Sequence, residues 1–187
     1  MAESPDPPAR CDTRQRRETI KQSQVLGVSK SYGRERGLRI VREPAELRCV
    51  GQDIHQRWQW LAANAAAAWQ RMHAAASEDG IELQLVSAFR SATYQLEILR
   101  RKLDRGQLID DILKVSAAPG YSEHHSGRVV DVTTPGYQPL EEEFDSSAAF
   151  AWLSRNAGNY GFHLSYPRDN RHGIAYEPWH WCWRRRD

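Results

Sequence analysis

The sequence predicts an α+β fold in which a small, mainly antiparallel sheet is packed by helices. The first observation is the order of the predicted elements, which runs helix, strand, helices, strand, helix and hairpin. The second is composition, because 187 residues with 40% hydrophobic side chains and seven Trp are enough for one core. A net charge of +2 gives no global field for nucleic acid, and no run of about twenty apolar residues is present to span a membrane.

Two regions of the chain differ in composition. Residues 1–23 are polar and rich in Pro and Arg, which is typical of a disordered N-terminal arm. Residues 24–187 carry the regular apolar patterns and are predicted to form a single domain. Residues 1–17 contain three prolines, many charges and no apolar run, so they do not have the pattern of a secretory signal peptide.

The strongest helix prediction covers residues 54–78. Leu61, Ala65 and Trp69 recur at helical spacing, and the alanine-rich run between them favours helix. The Asp-Gly pair at 79–80 is a good stop signal, since glycine commonly follows the last turn of a helix.

The other elements follow from shorter patterns of apolar alternation and from capping residues. Residues 81–87 alternate apolar and polar side chains, which favours a strand. The remaining predictions are a candidate strand at 38–41, a helix capped by Ser91 or Thr93 and running to about 103, a short helix at 106–115, a loop at 116–127, a strand at 128–132, a helix from 146 or 147 to about 160, and a closing hairpin with strands at 163–166 and 174–183.

The segment with the most chemical content is residues 122–131, which reads Ser-Glu-His-His-Ser-Gly-Arg-Val-Val-Asp. His124 and Asp131 offer an imidazole and a carboxylate as metal ligands. Gly127 allows a turn, and the strand after it directs Asp131 to the face opposite its neighbouring valines. A carboxylate buried among valines needs a cation or strong donors. A metal ion and an arginine salt bridge both meet that need, and the residues alone leave the two alternatives open.

A second segment, residues 177–180, reads Glu-Pro-Trp-His. It adds His180 as a third ligand and Glu177 as a spare carboxylate. Catalytic zinc takes three such ligands and keeps a fourth position for water, whose proton a nearby carboxylate can accept. Two residues three apart on a flat strand face opposite ways, and Pro178 cannot donate to a ladder. We therefore expect an edge position, a bulge or a bend that turns both side chains to the metal.

Together these motifs resemble the LAS zinc peptidases, which share the fold of lysostaphin, the D-Ala-D-Ala metallopeptidases and sonic hedgehog. More closely they resemble the VanY-type D-alanyl-D-alanine carboxypeptidases. Three further stretches match that group in the right order, namely residues 86–91 with Tyr94 and Gln95, residues 119–124, and residues 152–167. The likeness covers roughly residues 60–183.

The resemblance implies one zinc ion per chain, held by His124, Asp131 and His180. Glu177 is then expected to act as the general base, and Arg90 as a cationic clamp on the substrate or on the developing oxyanion. The candidate substrate contacts are Ser122, Arg90, Gln95, Tyr121 and Trp179. The sequence departs from the group's pattern at Val129, where a small Ala is common, and at Ala88, where Gly is usual; both departures bear on pocket shape.

The resemblance also implies a substrate, a peptidoglycan stem peptide ending in D-Ala-D-Ala that loses its terminal D-Ala. An L,D-carboxypeptidase, a peptidoglycan endopeptidase and a non-catalytic, zinc-containing wall-binding module on the same scaffold stay open, although Glu177 favours catalysis. We expect a monomer at the cell envelope or secreted, while the lack of a signal-like segment leaves a cytoplasmic location open. Cys11, Cys49 and Cys182 match no Cys-rich zinc motif, and a structural role, a Cys49–Cys182 bridge and a Cys11–Cys49 bridge all stay open.

Overall fold

Helical and alternating patterns in the sequence become six α-helices and six strands in the described part of the chain. The structure is a computed structural model and describes residues 5–185. The helices are α1 Thr13–Val25, α2 Tyr32–Glu35, α3 Ala63–Glu78, α4 Ala92–Asp104, α5 Ile109–Val115 and α6 Ala148–Asn156. The strands are β1 Leu47–Gln52, β2 Trp58–Ala62, β3 Gln84–Ser87, β4 Val129–Thr133, β5 Phe162–Leu164 and β6 His180–Trp183. Short 3-10 helices cover Glu123–Ser126, Glu142–Ser146 and Ala157–Tyr160.

The main sheet has four strands in the order β3-β4-β6-β5, and every neighbouring pair is antiparallel. β1 and β2 form a separate antiparallel pair. The predicted α+β fold with a small antiparallel sheet is therefore confirmed, and the closing hairpin is present as β5 and β6. None of the helices within residues 5–185 combines the length and the apolar character needed to cross a bilayer.

The main core lies between the sheet and helix α3. The small residues of α3 let its Trp69 and Met72 approach the sheet, where they meet Val130 and Val132 of β4. All five residues of β4 are buried, as expected for a central strand covered on both faces. A second apolar cluster lies where α4 and α5 meet the chain around Tyr32.

The predicted helix over residues 54–78 is wrong at its start. Residues 58–62 form β2, which pairs with β1, and the helix begins only at Ala63. Trp58 and Trp60 alternate with Gln59, a pattern that suits a strand as well as a helix, and pairing with β1 decides in favour of the strand. Strand β1 was not predicted, because its sequence has no clear alternation of apolar and polar residues.

The prediction of a disordered arm over residues 1–23 is wrong for residues 13–23, which lie in helix α1; residues 1–4 are outside the described residues. Asp12 and Gln15 form a capping box, each side chain accepting from the other's backbone N–H. α1 packs on α4, and Arg100 of α4 donates to Gln22 at 2.9 Å. Helix α1 is stabilised by its capping box and by packing on α4 rather than by a wide apolar face, and its polar sequence therefore gave no helical pattern.

Smaller differences concern element ends. Residues 38–41 form no strand, although Val41 N–H donates to the Gly120 carbonyl at 2.9 Å. Residues 174–179 are irregular, so the last strand begins at His180 rather than at 174. Cys11, Cys49 and Cys182 are all unpaired.

Helix α1 presses against the loop that leads to the first metal-binding motif. Gly120 in that loop has φ +88, and a Cβ added there would lie 2.6 Å from Ile20 Cγ1 of α1. Gly136 also has φ +88 but faces open space. The two glycines therefore share a backbone conformation and differ in their surroundings.

Alanine variants of Gly120 and Gly136 are therefore expected to differ in their free energy of unfolding, which thermal or denaturant unfolding measures. Gly136→Ala should cost about 1–2 kcal/mol, the strain of a left-handed alanine. Gly120→Ala should cost about 1–3 kcal/mol more, because the added methyl overpacks the contact with α1. Ile20→Ala should remove most of that extra cost in the double variant. Equal losses for the two alanine variants would show that α1 does not press on the loop.

Candidate metal centre and substrate cleft

Three buried side chains from different elements meet at one point. His124 lies in the 3-10 helix Glu123–Ser126, Asp131 lies in β4, and His180 opens β6. Asp131 and His180 are direct partners in the β4–β6 ladder, which brings their side chains together. One ligand atom from each of the three residues lies within 4.8 Å of the other two. The sheet register therefore builds a compact two-imidazole, one-carboxylate cluster.

The tautomer of His124 is fixed by the backbone. Its Nδ1–H donates to the Ala88 carbonyl, which leaves Nε2 with its lone pair facing the cluster, 3.1 Å from Asp131 Oδ2. Burial lowers the pKa of His124 to about 4, and the charge of Arg90 acts in the same direction. The ring is therefore neutral near pH 7, the form in which imidazole binds metals.

His180 is held from both sides by carboxylates. Its Nε2 lies 3.1 Å from Glu123 Oε2, and its Nδ1 faces Asp131 Oδ1 at 3.1 Å and Glu177 Oε2 at 3.3 Å. Burial acts to lower the pKa of His180, but the carboxylates of Asp131, Glu123 and Glu177 outweigh it and raise the pKa to about 10. The surroundings of Nδ1 therefore strongly favour a positive charge, which a proton or a metal cation can supply.

Glu123 is the partner that orients this ring. Burial acts to raise the pKa of Glu123, but the hydrogen bond with His180 and the charge of that ring lower it to about 2. An ionised Glu123 accepts from Nε2–H, so Nδ1 is the atom of His180 that turns to the cluster.

The atoms of the cluster suit a bound metal ion. His124 Nε2 and Asp131 Oδ1 are buried, and each has an ion-pair contact at 3.1 Å that lacks hydrogen-bond geometry. Such atoms are costly to bury unless a cation binds them. Burial acts to raise the pKa of Asp131, but the two imidazoles hold it well below its usual range. The alternative of a salt bridge between Asp131 and an arginine does not occur within residues 5–185, where its ion-pair partners are the two histidines. Two histidines and one carboxylate form a donor set that zinc accepts.

A bend places Glu177 beside the cluster. Residues 174–179 are irregular, and His180 N–H donates to the Glu177 carbonyl at 3.1 Å, which closes a turn just before β6. Glu177 N–H donates to the Tyr166 carbonyl, so the turn is tied to the chain after β5. The expected bend is therefore present. Burial raises the pKa of Glu177 to about 7, although the charge of His180 acts to lower it.

Arg90 follows the end of β3 and is held through its backbone by His125. The ring of His125 donates from Nδ1 to the Arg90 carbonyl at 2.6 Å and accepts from Gly120 N–H at 3.0 Å. Burial lowers the pKa of His125 to about 3, so the ring is a neutral structural link rather than a ligand. The Arg90 side chain lines the cleft, and its buried Nε has no hydrogen-bond partner.

The family model for the VanY D-alanyl-D-alanine carboxypeptidases matches residues 58–186. The chain belongs to the VanY family. Within it, the protein YodJ of Bacillus subtilis (strain 168) is 35% identical over 128 residues, a match that covers 65% of this chain and 45% of YodJ. This VanY-family chain thus spans less than half the length of that relative.

Two solved structures resemble this VanY-family chain. The LdcB LD-carboxypeptidase is 31% identical with a TM-score of 0.68, and the match covers 78% of this chain and 71% of that one. A mutant of the vancomycin resistance D,D-pentapeptidase VanY in complex with Zn(II) is 26% identical with a TM-score of 0.59, over 78% of this chain and 84% of that one. The resemblance expected from the sequence is therefore confirmed.

A cavity of about 500 Å³ opens over the cluster and reaches the predicted substrate contacts Ser122 and Trp179. Gln95 and Tyr121 do not line this cavity, and their prediction as substrate contacts needs correction. Gln95 is buried and donates to Ser116 Oγ and the Ala117 carbonyl, so it holds the wall from behind. Tyr121 turns the other way and packs edge-on against Tyr32, with ring centroids 5.3 Å apart.

Sequence reasoning missed several residues of the VanY cleft. Those that bear most on its chemistry and shape are Glu123, Lys102, Tyr166 and Leu140. The one available signal was for Glu123, which stands next to the first ligand in the chain. Tyr166 contacts the His180 ring in a tilted arrangement, with centroids 4.8 Å apart and an interplanar angle of 50°. Leu140 also lines the cavity and has φ +63, a strained conformation for leucine. Their positions depend on loops whose course the sequence pattern does not give.

Proposed function

We propose that this chain is a zinc-dependent carboxypeptidase that removes the terminal D-Ala from peptidoglycan stem peptides ending in D-Ala-D-Ala. The observation that carries the proposal is the buried cluster of His124, Asp131 and His180 with Glu177 3.3 Å from the His180 ring. Membership of the VanY family supports the substrate class. Because such a substrate lies outside the cytoplasm, we expect the protein to act at the cell envelope, as a monomer.

The three clustered residues are the proposed ligands, His124 through Nε2, His180 through Nδ1 and Asp131 through its carboxylate. Bound zinc supplies a Lewis acid that lowers the pKa of water and polarises a carbonyl. The zinc complex of the VanY pentapeptidase mutant, which shares the fold, supports this choice of metal.

Glu123 has the proposed role of positioning His180, and this gives a prediction for metal affinity. Glu123→Ala should weaken zinc binding about tenfold to a hundredfold, since the ring loses the partner that fixes its tautomer. Glu123→Gln should lose less, because its amide oxygen still accepts from Nε2–H. Competition with a chromogenic chelator measures both. Wild-type zinc affinity in Glu123→Ala would contradict the positioning role.

Glu177 is the proposed general base. Its pKa of about 7, raised by burial, lets it accept and release a proton near neutral pH. The carboxylate takes a proton from the attacking water and then delivers it to the amine that leaves as the C–N bond breaks. A wall-binding module without catalysis has no need of a carboxylate in this position.

Arg90 is the proposed stabiliser of the oxyanion that forms on the scissile carbonyl. Its guanidinium lines the cleft, and its charge acts on both His124 and Glu177, so it lies near the reacting atoms. A fixed cation at a developing oxyanion contributes in a largely water-excluded site more than it does in water. Ser122, also on the cavity wall, has the proposed role of holding the substrate terminus.

An L,D-carboxypeptidase is the second candidate, and one observation favours it. The likeness to LdcB has a TM-score of 0.68, above the value of 0.59 for the VanY pentapeptidase mutant. The two activities differ in whether the bond before the terminal D-Ala follows a D- or an L-configured residue.

One experiment separates these candidates. Zinc per chain is determined by elemental analysis, and the zinc-loaded protein is incubated separately with a pentapeptide ending in D-Ala-D-Ala and with the matching tetrapeptide. Products are identified by mass. Loss of one Ala from the pentapeptide supports the D,D-carboxypeptidase, and loss of one Ala from the tetrapeptide alone supports the L,D-carboxypeptidase. A protein that takes up no zinc would contradict both.

A further inference from the structure

Lys102 gives the cleft a second cation beside Arg90. It lies on α4 four residues after Ile98, so the two side chains share one face of the helix, and both line the cavity over the metal cluster. Lys102 is half-buried, whereas the other residues of the last turn of α4 that carry positive charge face away from the cavity. An ammonium group at this depth has lost part of its hydration and needs a counter-charge.

No protein anion in residues 5–185 forms an ion pair or a hydrogen bond with the Lys102 ammonium. By contrast, the exposed Lys114 on the next helix pairs with Asp111 at 2.7 Å. Burial lowers the pKa of Lys102, the charge of Arg90 lowers it further, and Glu177 is the group that acts to raise it. Asp131, Glu141 and Glu177 also line the cavity, but none of these carboxylates pairs with the Lys102 ammonium, so an anionic ligand would relieve the repulsion between the two cations.

The two cations lie on different elements. Arg90 N–H donates to the His124 carbonyl at 3.3 Å, which ties Arg90 to the first proposed ligand, whereas Lys102 lies in the last turn of α4 and lines the cavity from that helix. In a peptide, the terminal carboxylate follows the scissile carbonyl by one residue, and neighbouring Cα atoms are about 3.8 Å apart. A substrate whose scissile carbonyl lies by Arg90 therefore carries its terminal carboxylate to another part of the same cavity, where a second cation can bind it.

Four aliphatic side chains line the same cavity as Lys102, together with the polar Ser116 and Glu141. They are Ile98, Val115, Leu140 and Ile174. This aliphatic part of the wall suits a small apolar side chain, such as a methyl group. The combination of one ammonium with aliphatic walls therefore fits a terminal residue with a short side chain and a free carboxylate.

We propose that Lys102 binds the free terminal carboxylate of the substrate and thereby makes the site an exopeptidase site rather than an endopeptidase site. This inference rests on the proposed function, because it assigns the leaving residue to this side of the cleft. Arg90 stays free for the scissile carbonyl. A substrate that continues past the scissile bond has no carboxylate to place against Lys102 and leaves the ammonium without a partner.

The test compares two ligands on four proteins. The ligands are acetyl-L-Lys-D-Ala-D-Ala and the same peptide with a terminal carboxamide. The proteins carry Glu177→Gln so that they bind without turnover, and they have either no second change, Lys102→Met, Lys102→Arg or the exposed control Lys30→Met. Binding is measured by calorimetry on zinc-loaded protein, and kcat and KM are measured on the same set with Glu177 restored.

With Lys102 present, the acid should bind about tenfold to a hundredfold more tightly than the amide, the range for a charge-assisted hydrogen bond. Lys102→Met should abolish that preference by weakening the acid alone, and Lys102→Arg should restore part of it. In turnover, the loss should appear mainly in KM. Lys30→Met should match the parent protein.

Equal binding of acid and amide to the parent protein, or equal losses on both ligands in Lys102→Met, would overturn the inference. Failure of the proposed function has a different signature, because the protein with Glu177 would then release no D-Ala from either peptide. The binding preference still decides the role of Lys102 in that case.

Discussion

Glu177→Gln is expected to abolish hydrolysis while the protein still folds and binds zinc. The amide has the shape of the carboxylate but cannot take the proton from water, and the loss of a group in such a role is typically about a hundredfold or more in rate. Glu177 is not among the clustered ligand atoms, so the metal content should stay at about one per chain. The measurements are elemental analysis and the rate of D-Ala release from the pentapeptide.

Glu143→Gln is the matched control, because Glu143 is exposed and lies outside the cleft. It should keep both zinc and activity. Substantial hydrolysis by Glu177→Gln with full zinc occupancy would show that another group accepts the proton, and Glu177 would lose its assigned role.

His124→Ala is expected to have the largest effect on the metal itself. Removing Nε2 leaves two ligands, and catalytic zinc needs three from the protein. Zinc content should fall well below one per chain. A ligand that binds only the native state at a thousand times its Kd stabilises that state by about 4 kcal/mol, so zinc should raise the Tm of the wild type clearly and that of the variant little.

The control for this prediction is His163→Ala, since His163 is exposed on β5 and away from the cluster. Its zinc content and its response to zinc in thermal unfolding should equal those of the wild type. Stoichiometric zinc and an unchanged rise in Tm in His124→Ala would remove His124 from the ligand set.

Part of the metal cluster was predictable from local signals. His124 and Asp131 are joined by a turn and a short strand, and the bend at Pro178 follows from a residue that cannot pair in a ladder. The meeting of these residues depends on one long-range contact, the pairing of Asp131 with His180, and the resemblance to the VanY-type carboxypeptidases implied that His124, Asp131 and His180 act together. The fold class followed from the order of the predicted elements.

The features that the sequence did not predict are those that depend on contacts between distant parts of the chain. Residues 58–62 form a strand because β1 lies beside them, and α1 is a helix because Asp12 caps it and α4 receives it. Gln95 and Tyr121 share their segments with true cavity residues, yet each finds a partner on the side away from the cleft. Lys102 was missed because a lysine on a helix is usually solvated, and the sequence does not reveal that it is half-buried on the cavity wall.

The contact between Ile20 and Gly120 shows that the structural domain extends further towards the N-terminus than the segment matched by the family. The segment that shares ancestry with the VanY enzymes begins at residue 58, but α1, at residues 13–25, packs on the turn that leads into His124. A recombinant fragment cut at the edge of sequence homology would leave that turn uncovered. We therefore expect substitutions on α1 to alter metal retention even where residues 58–186 are unchanged.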